Sequence, residues 1–318
     1  MNSAAASPIE SVLRDELARA DRALSGIAPV LGHVLVGSGH SLVNDAVVAR
    51  VRGMLNDVSR QLVARLSEPV GGEEAFSAPL AAKVAEQLAQ DTPMLSYLHA
   101  LAMEGLLTEK LDRRAAIDPV LSPLFQELIA SQDALTGELA MQALTAQARF
   151  TQAQRRMQLP LLDLSPAALE RALRIWVRAT PVESEASATG QMRELKGEYD
   201  EAQSRTGLIA RLVSSMRGGV VAALELEHAG FALFVSAFAQ QSGQSRERAI
   251  LACHEQQSTR LAVGLRAANL KTSAIERQFL SLDIPIELPR DLEALAPDVA
   301  AAMLQDGSFG SAARKEAQ

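Results

Sequence analysis

The chain has 318 residues and a formal net charge of −7, because 38 acidic residues outnumber 31 basic ones. This length suffices for one large or two medium domains, and the acidic balance argues against nucleic acid as a partner, since duplex binding needs clustered cations. Hydrophobic residues make up 48% of the chain and aromatic residues only 3%, which predicts an all-α fold with a core of alanine, leucine and valine and no significant β-sheet.

A capping side chain followed by proline marks four predicted helix starts in the first half of the chain. The side chain can accept a backbone N–H, and proline at the first helical position loses no hydrogen bond. The four pairs are Ser7-Pro8, Thr92-Pro93, Asp118-Pro119 and Ser165-Pro166. The helices predicted in this half span residues 8–26, 41–66, 79–90, 93–107, 119–130, 132–157 and 166–178, with a loop at 68–77.

The segment 180–190, TPVESEASATG, is the predicted linker of the chain. Proline and glycine punctuate it, and it contains no apolar residue larger than valine. The sequence therefore predicts an N-terminal helical region at 1–179 and a C-terminal helical region at 191–304. The remaining residues, 305–318, are predicted to form a disordered tail.

A heptad-like apolar pattern follows the predicted linker. The residues that recur at spacings of three and four are Met192, Leu195, Tyr199, Ala202, Thr206, Ile209, Val213 and Met216. This pattern is typical of one long helix that packs along a bundle. An intermolecular coiled coil, and hence a homodimer through this seam, is the alternative.

Shorter helices are predicted in the rest of the chain, at 220–227, 231–242, 246–255, 258–268, 273–282 and 290–304. Gly243 and Asn269 suit left-handed C-caps of the second and fourth of these helices. No fixed repeat period connects the helix starts, so the sequence indicates an irregular helical bundle or an irregular HEAT-like array.

Residues 228–282 resemble a known bacterial family. The features that carry the resemblance are Phe231 to Phe234 at the start of a helix, the break at Gly243, and the closing segment LAVGLRAANL at 261–270. They are similar to the C-terminal part of the family called domain of unknown function 2336, which often has glycine where Asn269 stands here. The resemblance implies a HEAT-like helical fold and, by analogy, a binding scaffold, and it transfers no activity.

Three short motifs contain residue types found in catalytic, anion or metal sites. Glu225 and His228 have the Glu-x-x-His spacing of di-iron bundles, but the second copy that such a site requires is missing. Cys253, His254 and Glu255 are adjacent, so their side chains point in different directions on a helix. The turn at 37–41 contains His40 and follows His33. It lacks the preceding strand and the fuller glycine or lysine pattern of a phosphate site. No catalytic, cofactor or metal residues are therefore predicted.

The densest basic stripe of this acidic chain lies on the helix after Ser165-Pro166. Arg171, Arg174 and Arg178 are spaced i, i+3 and i+7 and share one face. One interpretation is a solvated face paired with neighbouring acids. The other is a docking face for an acidic or phosphorylated protein, which arginine recognises through its planar fork.

These observations predict a non-enzymatic helical scaffold or adaptor that binds another protein, with a role in regulation or signalling. The single cysteine, Cys253, favours a reducing compartment and hence the cytoplasm. No secretory signal is predicted, because the N-terminal segment MNSAAASPIE has no basic region followed by an apolar run. No membrane span is predicted, because the long apolar stretch at 219–239 contains acidic residues and a histidine. The alternative function is a small-molecule- or metal-dependent helical enzyme whose site combines distant residues, for example His33, His99, His228 and His254.

Overall fold

The computed structural model describes residues 8–36, 45–66, 74–289 and 291–312, and these contain helices and no strand. The all-α prediction is confirmed for this part of the chain. The chain divides into two compact units, each built from separate stretches of sequence. Unit 1 comprises Met1–Gly26, Leu106–Ser131 and Val213–Gln318, and unit 2 comprises Ile27–Gly105 and Gln132–Leu212.

The helices have the following bounds. The first eight α-helices are α1 (Pro8–Val36), α2 (Asp45–Ala64), α3 (Glu74–Gln90), α4 (Thr92–Ala115), α5 (Pro123–Ile129), α6 (Ala134–Arg155), α7 (Pro166–Ala179) and α8 (Val182–Glu198). The others are α9 (Arg205–Ser215), α10 (Leu226–Ser242), α11 (Arg246–Ala252), α12 (Ser258–Ala267), α13 (Thr272–Ser281) and α14 (Pro297–Ala312). Short 3₁₀ helices are η1 (Leu161–Asp163), η2 (Glu201–Gln203), η3 (Arg217–Leu224), η4 (Glu255–Gln257) and η5 (Leu292–Ala294).

In unit 2, α7 packs against α2, α3 and α8, and α2 also packs against α3. The inner face of α7 is apolar and includes the buried Leu173, Ile175 and Trp176, with no exposure at all for Trp176 (0%). Because this face is buried against its neighbours, the packing fixes the orientation of α7, and the opposite face of the helix points to solvent in a defined direction.

In unit 1, α10 is the central helix and packs against η3, α5, α11, α12 and α13. Its residues 229–239 are all buried, and the rings of Phe234 and Phe238 stack with centroids 6.0 Å apart. A Cβ atom at Gly264 of α12 would lie 2.6 Å from the Phe238 ring. Glycine at this position therefore lets α12 approach α10 closely.

Several predicted helix ends are confirmed by their cap geometry. The Ser165 hydroxyl accepts a hydrogen bond from the N–H of Ala168 at the start of α7. Gly243 adopts the left-handed conformation (φ 67°) after α10, and Asn269 does so (φ 63°) after α12. Asp118 differs, because its carboxylate binds the N–H groups of Val120 and Leu121 in a turn, and α5 starts later.

Other boundaries differ from the sequence-based expectation. α1 continues through Gly26 and Pro29, and α14 continues to Ala312, into the segment predicted to be a disordered tail. The predicted linker at 180–190 is not a linker, because α8 begins at Val182 within it. Two alanines and two glutamates of that segment, Glu183, Glu185, Ala186 and Ala188, favour helix. The predicted cap Ser7 and the end of the tail at 313–318 lie outside the described residues.

No single helix in the described part of the chain is long and apolar enough to cross a membrane. One bent pair, Arg205–Ser215 with Arg217–Leu224, meets the length and composition criterion only when both members are taken together.

Candidate functional site

The predicted basic face lies on the exposed side of α7, where acidic residues engage part of it. Arg171 Nη1 lies 3.1 Å from Asp91 Oδ2, and Arg174 Nε lies 3.5 Å from Glu170 Oε1. The Nε of Arg178 donates to the carbonyl oxygen of Arg174 at 3.4 Å. The three arginines therefore share one surface, as their spacing predicts.

A fourth cation joins this surface from α8. Lys196 Nζ lies 2.6 Å from Glu170 Oε2, so Glu170 is shared by a lysine and an arginine. Three cations thus pair with two carboxylates, and Arg178 binds a backbone carbonyl oxygen. We call this surface, made of Arg171, Arg174, Arg178 and Lys196, the α7 basic face. It retains an excess of positive charge in a chain whose net charge is −7.

The predicted dimer seam is interrupted. α8 ends at Glu198, η2 follows, and α9 begins at Arg205, so the seam residues do not lie on one continuous helix. Leu195 and Ile209, 1% and 0% exposed, are buried within unit 2, and Val213 is 1% exposed in unit 1. Met192, Tyr199 and Ala202 are half-buried. The prediction of one long helix is wrong, and a homodimer through the seam stays a prediction without support from this geometry.

The side chains of Cys253, His254 and Glu255 do not form a reactive group. Cys253 is buried and its thiol donates to the carbonyl of Ala249, and burial raises the pKa of the thiol well above its ordinary value. His254 accepts the N–H of Gln256 through Nδ1, and burial lowers the pKa of its imidazole. The thiol is thus kept in its unreactive protonated form.

Other residues engage Glu225 and His228, the pair with the Glu-x-x-His spacing. His228 Nε2 lies 3.3 Å from Glu127, whereas Glu225 binds Arg277 and Gln278, so Glu225 and His228 do not share a ligand position. The described residues contain no group of three or more His, Cys, Asp or Glu side chains that could hold a metal ion. The turn at 37–41 and the side chain of His33 lie outside what the structure describes.

Unit 2 also contains a cleft that the sequence did not predict. Its volume is about 750 Å³. Its walls come from the end of α2, from α6, η1, the end of α8 and η2. The lining residues are Gln61, Ala64, Arg65, Arg149, Pro160, Leu161, Leu162, Asp163, Leu195, Glu198, Tyr199, Asp200, Gln203 and Ser204. We call it the η1 cleft.

Side chains from α2 hold the backbone on one side of this cleft. The N–H of Leu159 donates to Asp57 Oδ2 at 2.9 Å, and the N–H of Leu161 donates to Gln61 Oε1 at 3.2 Å. Gln61 Nε2 donates in turn to the carbonyl oxygen of Leu159 at 2.9 Å. One glutamine thus satisfies both a donor and an acceptor of the segment that leads into η1.

Two tyrosines hold the far end of the same segment. The Tyr97 hydroxyl donates to the carbonyl of Asp163 at 3.3 Å and accepts the N–H of Ser165 at 3.0 Å. The Tyr199 hydroxyl donates to the carbonyl of Leu164 at 2.9 Å. Burial, aided by the charges of Glu201, Asp163 and Asp200, raises the pKa of Tyr199 to about 12, so this hydroxyl stays protonated as a donor.

Asp163 is the half-buried carboxyl group of the cleft. Burial raises its pKa, and the positive charges of Arg205 and Arg149 and the backbone N–H of Arg205 oppose that shift only in part. At the other end of the cleft, Arg65 and Glu198 bind each other through two hydrogen bonds of 3.3 and 3.0 Å. The cleft therefore combines both signs of charge with apolar surface.

Comparison with known proteins gives no relative for this chain: no family model, no curated protein and no solved structure matches it. The candidate sites are therefore interpreted from their own geometry.

Proposed function

We propose that this protein is a non-enzymatic helical scaffold that binds another protein, and that an acidic or phosphorylated segment of the partner docks on the α7 basic face. The observation that carries the proposal is the excess of cations there. Arg174 and Lys196 share one carboxylate, and the described residues place no carboxylate within ion-pair distance of Arg178. An incoming carboxylate or phosphate would complete these pairs.

The rigidity of α7 supports the same proposal. A buried apolar face and a capped N-terminus fix the helix, so its arginines project from a defined backbone. Arginine binds carboxylate and phosphate through two parallel N–H groups, which adds geometric selectivity to charge attraction. The net negative charge of the rest of the chain would disfavour acidic segments elsewhere.

The finer features of the proposal come from the sequence. The resemblance of residues 228–282 to the domain of unknown function 2336, the HEAT-like arrangement, the role in regulation or signalling and the cytoplasmic location all stay predictions. A HEAT-like array would add an extended surface for the same partner.

Comparative affinity capture tests the proposal. Three baits are used: the wild-type protein, the double variant Arg174→Glu/Arg178→Glu, and the control Arg155→Glu/Arg156→Glu. The control changes the net charge equally and alters two exposed arginines of unit 2 outside the α7 basic face. Thermal unfolding of each bait checks that all three remain folded.

We expect one or a few proteins to be retained by the wild type and the control and lost from Arg174→Glu/Arg178→Glu. Phosphatase treatment of the lysate then distinguishes an acidic partner from a phosphorylated one. Only a phosphorylated partner is no longer captured after the treatment. Retention of the same proteins by all three baits would show that the α7 basic face is only solvated surface.

A further inference from the structure

A second site in unit 2 is independent of the α7 basic face. The η1 cleft, of about 750 Å³, falls within the range of roughly 300–1,000 Å³ that is usual for small-molecule sites. Its apolar surface includes the buried Leu161 and Leu195 and the half-exposed Leu162, which is 49% exposed. Such a leucine at the surface of a cleft offers apolar contact to a ligand.

One cation of the cleft is available to a ligand. Arg65 is engaged by Glu198 through both oxygens of the carboxylate. Arg149 is exposed, and no described residue accepts a hydrogen bond from its guanidinium, although its positive charge acts on Asp163. A ligand carboxylate could therefore occupy the fork of Arg149 without displacing a protein partner.

The opposite charge lies in the same cleft. Asp163 accepts the backbone N–H of Arg205, and it is the half-buried carboxyl of η1. Burial penalises its ionised form, so a ligand ammonium group beside it would offset that penalty. Arg149 and Asp163 both line the cleft, so a single ligand that carries both charges can meet the two residues.

The backbone around these charges is held in place before any ligand binds. Asp57, Gln61, Tyr97 and Tyr199 bind the backbone of 159–165 from three other parts of unit 2. A site whose supporting side chains already satisfy its backbone loses little entropy on binding.

We propose that the η1 cleft binds a small zwitterion of dipeptide size, with its carboxylate on Arg149, its ammonium group on Asp163 and an apolar side chain against Leu162. A ligand with a single charge would pair with only one of Arg149 and Asp163. The cleft is larger than one amino acid, so it also has room for a second residue.

Calorimetric titration of the full chain with leucyl-leucine tests this proposal. The same titration uses the N-acetylated dipeptide, which lacks the ammonium charge, and the dipeptide amide, which lacks the carboxylate charge. The variants are Arg149→Gln and Asp163→Asn, and the control is Arg155→Gln, an exposed arginine of the same helix outside the cleft. Circular dichroism checks that each variant is folded.

We expect leucyl-leucine to bind the wild type and Arg155→Gln equally, and each blocked form to bind at least about tenfold more weakly, which is about 1.4 kcal/mol. Arg149→Gln should weaken the binding of leucyl-leucine by a similar factor and leave the binding of the dipeptide amide unchanged. The proposal is overturned if all three ligands bind equally, or if one of the two blocked forms binds as tightly as leucyl-leucine. It is also overturned if leucyl-leucine does not bind the wild type. None of these results bears on the α7 basic face.

Discussion

A buried ion pair in unit 2 is the residue-scale feature with the largest expected effect on stability. Arg205 Nη1 and Nη2 donate to Glu104 Oε1 and Oε2 at 2.7 and 3.1 Å, and both side chains are almost fully buried. The guanidinium also lies 3.5 Å from the ring centroid of Phe150 and donates to Gln147. Every charge in this cluster thus depends on its partner.

Removing one partner should cost more than removing both. In Arg205→Met the buried Glu104 carboxylate loses both hydrogen bonds from the guanidinium, and we expect a loss of about 3–5 kcal/mol in the free energy of unfolding. The double variant Arg205→Met/Glu104→Met should recover much of that loss. Urea denaturation measures both, and a single-variant loss below about 1 kcal/mol would contradict the burial described here.

Asp163 should make stability depend on pH in the direction opposite to a salt-bridged carboxylate. Its pKa in the folded state is raised above the ordinary value of 3.8, so the folded protein binds the proton more tightly than the unfolded chain. The resulting stabilisation is complete below about pH 3.8 and is lost as the pH rises through the folded pKa.

The variant Asp163→Asn isolates this effect, because asparagine can still accept the N–H of Arg205 and cannot titrate. We expect the stability of the wild type relative to the variant to increase as the pH falls from neutrality towards 3.8. Denaturation curves across that pH range measure the difference. A difference that stays constant with pH would show that burial does not disfavour the Asp163 carboxylate.

At the scale of elements, α10 contains a conformation that requires glycine. Gly230 has φ 70° and ψ 161° inside the helix, a region that other residues avoid, and a Cβ atom there would lie 2.9 Å from Ser122 Cβ. The kink lets the start of α10 turn beside the N-terminus of α5, which Ser122 caps. A single residue therefore fixes the path of the most buried helix of unit 1.

Gly230→Ala should destabilise the protein by about 1–3 kcal/mol. The control is Gly197→Ala in α8, where a Cβ atom meets nothing within 4 Å, so alanine should be neutral or stabilising by up to about 1 kcal/mol. Chemical denaturation compares the two variants. Equal stability of both would mean that the backbone at Gly230 is not strained for alanine.

Element type and several helix ends were predictable because their signals are local. Ser165-Pro166 and Gly243 specify a cap and a left-handed residue with their own chemistry. The boundary at 180–190 was mispredicted because polar residues in an exposed helix resemble those of a loop. The break after Glu198 was mispredicted because the apolar spacing continues across it, while contacts such as Tyr199 to Leu164 decide the local conformation.

At the scale of the whole molecule, the two units interleave in sequence. Three of the four boundaries between them fall inside α1, α4 and α9 and have no loop or linker composition to mark them. The predicted division at 180–190 therefore falls within unit 2 alone. The η1 cleft was equally inaccessible to prediction, because its residues come from sequence positions as distant as Gln61 and Ser204.

The α7 basic face was predictable in position and only partly in charge. The spacing of Arg171, Arg174 and Arg178 places them together, whereas Asp91 and Lys196 reach the same surface from other elements. The surface is therefore neither fully paired nor purely basic. Its remaining excess of cations is what would attract an acidic or phosphorylated partner.

The salt dependence of partner capture tests whether a partner docks on this surface by charge. Captured protein is quantified for the wild type and for Arg174→Glu/Arg178→Glu while the salt concentration rises from about 0.05 to about 0.5 M, which screens exposed charges. We expect the amount of partner retained by the wild type to fall steadily over this range, and the variant to retain little of it at any salt concentration. A partner held equally by both proteins, at a level that salt does not change, would contradict docking on the α7 basic face.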